Sequence, residues 1–285
     1  MKAILFCHFL FLSILLRAEN DVYHTVEDKT IFDNYINVSR EWKNLGYEEL
    51  VMKTATYFLG TPYVASTLEI EPERLVVNLR EFDCTTFMES VYALSKTAIS
   101  DSPTFETFCC NLKTLRYRNS VIDGYESRLH YASDWIFENE RKGLFKNTTK
   151  DAGGKELLFD LSFMSTHPGS YKQLKNNHFL IDKIREKEKE INKRYYHYIP
   201  ECSINALSEK DVKNGDAVWF TTSIGGLDIS HVGLVCWVDG VLTFIHASSS
   251  KKKVVVNEGC MQSYIQAVKR NTGAIFISPT IGSLK

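Results

Sequence analysis

The chain has 285 residues, 44% hydrophobic and 12% aromatic, with a formal charge of −1 at pH 7. That is enough for one large globular domain or two small ones. The near-neutral balance argues against nucleic acid as a partner and against a polybasic membrane patch.

Met1-Lys2 is followed by an apolar run from Ala3 to Leu16 and then by Arg17. The run is too short to span a bilayer comfortably. A basic start before a short apolar core reads as a secretory signal peptide. Ala18 is the best small residue for cleavage, which gives a signal over residues 1–18 and one exported domain over 19–285. No integral membrane segment is expected once the signal is gone. A buried N-terminal helix is the alternative reading. Cys7 lies inside the apolar run rather than after it, which argues against a lipid anchor.

The remaining cysteines are Cys84, Cys109, Cys110, Cys202, Cys236 and Cys260. They show no CxxC pair and no disulfide-framework spacing. No Cys/His pairs stand at zinc-ligand spacing, so no metal site is expected. Most read as buried thiols that pack like small apolar residues. One disulfide in an exported chain stays open.

From about Asp21 to Leu59 the chain reads as helical, with Leu50, Met52, Ala55 and Phe58 on apolar positions. Gly60-Thr61-Pro62-Tyr63 breaks the helix. Glu69 to Arg80 is a connector. Apolar residues at Phe87, Val91, Leu94 and Ala98 then repeat at a helical period, giving a helix to about Ile99. Ser102-Pro103-Thr104 starts another helix through Arg116, with proline suited to the first helical position. Residues 117–206 carry mixed signals and read as an elaboration of one domain. They include a short amphipathic helix around Trp135 to Lys142 and a strand-like run from Leu157 to Phe163. The Lys, Arg and Glu residues from Lys183 to Arg194 read as a solvated helix face with ion pairs four apart.

After Ser208 the pattern changes to strands. Asp216 to Phe220 follows a Gly215 turn. Two apolar runs, His231–Val238 and Val241–Ser248, flank Asp239-Gly240, a strong hairpin signal. Val254–Val256 and Ala274–Ile277 add strands. Early helices followed by a mostly antiparallel sheet predict an α+β architecture.

The chemistry concentrates at Glu81-Phe82-Asp83-Cys84-Thr85-Thr86-Phe87 and at the hairpin. Asp83 is a good N-cap residue, so Cys84 falls at the first helical position. Unpaired amides and the helix dipole there favour a thiolate. A two-residue turn places His246 opposite Gly233 and Ser248 opposite His231. Side-chain alternation then puts His231, Gly233, His246 and Ser248 on one sheet face. His231 and His246 become diagonal neighbours about 7–8 Å apart at the backbone. His231 could activate Cys84, and His246 could hold the His231 ring in the right tautomer. Ser248 is a second candidate for that orienting role. Gly233 clears space for an approaching group. Taken alone, two histidines on a sheet face are also consistent with packing.

These residues, with the Asn214–Phe220 strand, Ser230-His231-Val232-Gly233-Leu234 and Ile245-His246-Ala247-Ser248 in that order, resemble the NlpC-type cysteine peptidases, which are papain-like enzymes acting on cell-wall peptides. Gly60-Thr61-Pro62-Tyr63 resembles the segment preceding that family's cysteine. The resemblance implies Cys84 as nucleophile, His231 as base, His246 as orienting residue and Tyr63 near the site. It also implies a papain-like core, with the nucleophile helix packed on the antiparallel sheet.

Leu75 to Phe87 and Ser127-Arg128-Leu129-His130-Tyr131 are similar to one branch, the exported N-acetylmuramoyl-L-alanine amidase-like family. Its members carry a large insertion between nucleophile and base, as the interval from Cys84 to His231 would allow. That branch implies cleavage of the amide joining N-acetylmuramic acid to L-alanine in muropeptides, small peptidoglycan fragments, without cofactor or metal. Thr85-Thr86 follows the cysteine where most NlpC-type enzymes have Ser-Gly, which puts their usual endopeptidase specificity in doubt. Asp83, Arg128 and His130 join Tyr63 as substrate-binding candidates. An arginine can hold a peptide carboxylate in bidentate fashion, although a structural Arg128 and a packed His130 fit equally well. Alternatives are a stem endopeptidase cutting between D-glutamate and the diamino acid, an acyltransferase using the same thioester, and an inactive wall-binding module.

Overall fold

The structure, a computed structural model, describes residues 22–280; the expected signal peptide and Cys7 lie outside the described residues. Strand β1 (Val22–Tyr23) leads into α1 (Val26–Ser39), capped by reciprocal hydrogen bonds between Thr25 and Asp28. Helix α2 (Tyr47–Tyr57) starts after Gly46. The helix expected from Asp21 to Leu59 is thus a short strand and two helices, because Thr25 and Gly46 each begin a new segment. Helix α2 ends at Tyr57 with Phe58 as its C-cap, and Gly60 just beyond takes φ 88°, where glycine carries no Cβ penalty.

Strand β2 (Leu75–Val76) pairs in parallel with β1. Helix α3 (Cys84–Ala98) follows, then α4 (Phe105–Arg116). Thr104 caps α4, so Pro103 stands before the cap rather than at the first helical position. Next come α5 (Ala132–Arg141), β3 (Phe145–Asn147), β4 (Lys155–Leu158), α6 (Phe163–Thr166), α7 (His178–Ile191) and β5 (Tyr195–Pro200). The strand-like run at Leu157–Phe163 is therefore strand only as far as Leu158. The chain closes with β6 (Ala217–Thr222), β7 (Ile229–Val238), β8 (Val241–Ser248), β9 (Lys253–Val256), α8 (Met261–Ala267) and β10 (Asn271–Pro279).

The main sheet runs β4-β5-β10-β6-β7-β8-β9, with β3 also paired to β10. Every pairing in it is antiparallel. The last strand in sequence thus lies inside the sheet. Residues 117–206 supply β3 and β5, both bonded to β10, so this region is woven into the sheet. The hairpin has the expected register, with Val238 opposite Val241 and Leu234 opposite Ile245. Asp239 and Gly240 both take positive φ, as a two-residue hairpin turn of this kind requires.

Alternation splits β6, β7 and β8 into two buried rows. Trp219, Val232, Leu234, Ile245 and Ala247 join α3 in one core. Phe220, Val235 and Phe244 join Met261 and Ile265 of α8 in a second core. Burying each large apolar side chain contributes about 1.5–3 kcal/mol, so α3 is anchored strongly: twelve of its fifteen residues are buried. Its polar side chains are matched inside. Tyr92 donates to the Gly215 carbonyl at 2.8 Å, and Glu89 accepts from Arg116 at 2.7 Å and Trp135 at 3.0 Å. Asp28 of α1 accepts from the Leu79 amide at 2.9 Å and Arg80 at 3.1 Å, fixing the approach to α3.

Helix α7 forms ion pairs three apart, Lys187–Glu190 and Lys189–Glu186 among them, rather than four apart. Its Glu188 is not on a solvated face. It is buried, accepting from the Tyr131 hydroxyl at 2.7 Å and the Ser165 amide at 3.0 Å.

A Cβ at Gly233 would meet Phe244 Cδ2 at 2.7 Å and the Ile245 carbonyl oxygen at 3.0 Å. The space that the glycine leaves is therefore filled by its neighbouring strand, not kept open for an approaching group. Gly233→Ala is expected to cost about 1–3 kcal/mol of stability, read as a lower urea midpoint at unchanged slope. A midpoint equal to wild type would show that Phe244 can move aside freely.

Candidate active site

Cys84 is held by the segments on either side of it. The Gly60–Tyr63 segment straps the approach to α3 onto the β9 edge. Gly60 donates to the Val254 carbonyl and Tyr63 to the Lys252 carbonyl, each at 2.9 Å, while Phe82 donates to Pro62 at 3.0 Å. Asp83 then caps α3. Its carboxylate accepts from the Thr86 amide at 2.8 Å, and the Thr86 hydroxyl accepts from the Asp83 amide at 2.9 Å. Asp83 thus fixes the helix start beside the cleft. Tyr63 lies near enough to feel the charges of Cys84 and Asp83, which add to burial in raising its phenol pKa.

The helix start alone would favour a thiolate. Burial outweighs it: the Cys84 thiol is pushed up to about 12, chiefly by burial and next by the Asp83 charge. The Val232 backbone and Thr85 work in the opposite direction. Burial therefore opposes the thiolate that the helix start favours.

His231 Nε2 and His246 Nδ1 are 2.6 Å apart, and the rings meet edge to face with centroids 4.8 Å apart. Burial lowers both imidazoles, His231 to about 3 with help from His246, and His246 to about 4. Two neutral imidazoles share one proton in such a bond. If His231 Nε2 carries it, His231 Nδ1 keeps a free lone pair, the form a base needs. Ser248 does not touch His231. Its hydroxyl lies 3.1 Å from that of Ser250 and accepts from the Lys251 amide.

Cys84, Thr85, His130, Tyr131, Asp228 and His231 line a cleft of about 180 Å³. A second cleft, of about 500 Å³, is lined by Glu69, Asp83, Arg128 and Lys172 among others. Thr85, His130 and Tyr171 line both, so the two clefts adjoin. His130 donates from Nε2 to the Tyr125 carbonyl at 2.8 Å, and its ring packs on Tyr125. Burial and the nearby Arg128 lower it to about 3. Arg128 is buried, with Glu69 at 3.0 Å and Glu73 at 3.3 Å, so two carboxylates already balance its charge.

The site includes residues that no sequence pattern singled out. Asp228 accepts from the amide and hydroxyl of Ser133, both at 2.7 Å, tying the start of α5 to the turn before β7. Tyr264 of α8 packs against both histidines. Neither has a local motif; each meets the site through the tertiary fold. All six cysteines among the described residues are free, and no helix among those residues is long and apolar enough to cross a membrane.

The model of the AmiA-like family, described as N-acetylmuramoyl-L-alanine amidase-like, matches residues 53–273. A solved N-acetylmuramoyl-L-alanine amidase from Bacteroides uniformis ATCC 8492 is 34% identical, with a TM-score of 0.78. The similarity covers 82% of this chain and 99% of that one. A Bacteroides fragilis protein, provisionally named a xylanase, is 37% identical with a TM-score of 0.74, covering 79% and 99%. A Legionella pneumophila protein of the DUF1460 family model is 21% identical with a TM-score of 0.65, covering 88% and 94%, a likeness of fold alone. No curated protein matches the chain.

A raised thiol pKa leaves little thiolate at neutral pH, and the thiolate fraction grows with pH. Iodoacetamide labelling of Cys84, followed peptide by peptide, is expected to rise about tenfold per pH unit from pH 6 past pH 9. A rate plateau between pH 6 and 8 would instead reveal a thiolate–imidazolium pair.

Proposed function

The chain belongs to the N-acetylmuramoyl-L-alanine amidase-like family, and on that premise we propose that it hydrolyses the amide between N-acetylmuramic acid and L-alanine in muropeptides. Cys84 is the nucleophile, His231 the base and His246 its orienting partner. The observation that carries this reading is the 2.6 Å His231–His246 contact, in a cleft whose wall also holds a cysteine at a helix start. The order of nucleophile helix and antiparallel sheet also supports an NlpC-type, papain-like core. The Ala3–Leu16 run supports a periplasmic or extracellular location.

Thiol and imidazole both start neutral, so the proton must move as the carbon–sulfur bond forms. Cys84 attacks the lactyl carbonyl and passes its proton to His231. His246 accepts from Nε2–H of the resulting imidazolium and stabilises it. Oxyanion charge falls toward the first turn of α3. Asp83 already occupies the Thr86 amide there, which leaves those of Cys84 and Thr85 to receive it. The carbon–nitrogen bond then breaks, and His231 returns the proton to the leaving amine of L-alanine. Water, deprotonated by His231, attacks the thioester. This frees the muramic acid carboxylate and restores the thiol.

Muropeptides incubated with the protein are expected to release a free stem peptide beginning with L-alanine, detected by mass spectrometry. Cys84→Ala should abolish this release, and His231→Ala should slow it about 10²–10⁴-fold. Cleavage within the stem, lost in Cys84→Ala, would move the assignment to an endopeptidase. If wild type leaves every muropeptide intact, the amidase reading fails.

A further inference from the structure

Helix α8 is fixed in rotation by four of its residues. Met261 and Ile265 are buried in the second core. Gln262 and Gln266 both donate to Glu201, at 2.9 and 2.6 Å. Tyr264 is thereby turned toward β7 and β8. Its ring centroid lies 4.9 Å from Phe220, 4.8 Å from Phe244, 6.0 Å from His231 and 5.9 Å from His246. Phe220 is nearly parallel to His231 at 6.2 Å, and Phe244 lies 4.7 Å from His246. Rings from β6, β8 and α8 therefore pack against the two imidazoles on the α8 side, while His231 also lines the cleft.

We propose that Tyr264 is a positioning residue: its ring closes an aromatic box with Phe220 and Phe244 that keeps water from the His231–His246 bond and fixes the two rings. The proposal rests on reading these histidines as base and orienting partner. Phe220 and Phe244 are fully buried and serve the core in any case. Tyr264 is half-buried, so it is the ring that stands between the imidazoles and solvent on the α8 side. A hydrogen bond between two neutral imidazoles competes with water for the same donor and acceptor. Excluding water removes that competition.

The titratable groups around the pair come from several elements. Cys84 of α3, His130 before α5 and Asp228 before β7 share the cleft with His231. Asp83 and Tyr63 flank Cys84. Tyr264 packs against both rings and lies near enough to Cys84 for that charge to add to burial in raising its phenol pKa. The carboxylates of Asp83 and Asp228 would favour a protonated imidazole, yet both rings are held well below the usual histidine range, with burial as the leading cause. Opening the wall is therefore expected to raise imidazole basicity.

NMR titration of the full chain tests this without substrate, using His231→Gln and His246→Gln to assign the two rings. Wild type is expected to keep both neutral down to about pH 5, below the ordinary histidine value of about 6.5. Tyr264→Ala should raise the apparent value of the pair by at least about one pH unit. Tyr264→Phe, which keeps the ring, should retain the wild-type titration. The acid limb of any measured kcat/KM profile should move up with the imidazoles. An unmoved titration in a folded Tyr264→Ala protein overturns the proposal, as does wild type titrating near 6.5. If that variant does not fold, Tyr264→Leu takes its place; a smaller rise is expected, and no rise overturns the proposal. A titration that moves in a protein cleaving no muropeptide would sink the amidase reading and leave the wall standing.

Discussion

His231 and His246 share a short hydrogen bond in surroundings that disfavour a charge on either ring. The arrangement depends on how β7 and β8 pack. Gly233 gives Phe244 and His246 room to lie close against β7, and Phe244 in turn backs His246. The same alternation that buries Val232 and Leu234 against α3 sends His231 to the α8 side. Core packing and site geometry are thus one constraint. A change that loosens the Phe220–Phe244–Tyr264 cluster would act on stability and on the imidazoles together.

Burial also governs the charged groups around the two clefts. Arg116 pairs with Glu89 where both side chains are nearly inaccessible. Asp134 takes both Arg118 and Arg194, and Arg128 sits between Glu69 and Glu73. Pairs of this kind seldom add net stability over apolar replacements, but removing one partner strands the other at several kcal/mol. Their effect is to fix geometry. Glu89 joins α3 to α4 and α5, and Asp134 joins α5 to the stretch before β5. Residues 117–206 are therefore tied to α3 by buried charge and to the sheet by β3 and β5, which pair with β10.

Much of the local structure could be read from the chain. The Asp83 cap, the period of α3 and the Asp239-Gly240 turn are short-range signals, and the hairpin register follows from turn length alone. That register also brought His246 to His231. Pairings that span long stretches of chain could not be read. β10 enters the sheet between β5 and β6, which no local pattern encodes. Tyr264 reaches the histidines only because α8 docks under that sheet. The balance of effects at Cys84 has a related cause. The cap and dipole are local and favour a thiolate, whereas burial in the folded chain is tertiary and outweighs them. Glu188 is a similar case, since its charged neighbours in sequence hide a position that faces Tyr131 and Ser165.

In the proposed mechanism thiol and imidazole both start neutral, because burial raises the one and lowers the other, and that has a consequence for reactivity. A thiolate is both the better nucleophile and the better target for oxidants. In the proposed mechanism, holding Cys84 protonated and half-buried until a carbonyl arrives would confine its reactivity to the moment of attack. The neutral pair also leaves no ion pair to screen, so salt should matter little to the resting site. In that mechanism His231 is charged only between attack and proton return, when the His246 bond and the first turn of α3 act most strongly. In that sense the dry surroundings oppose charge separation at rest and give its stabilisation to two groups already in place, which is where transition-state binding is most effective.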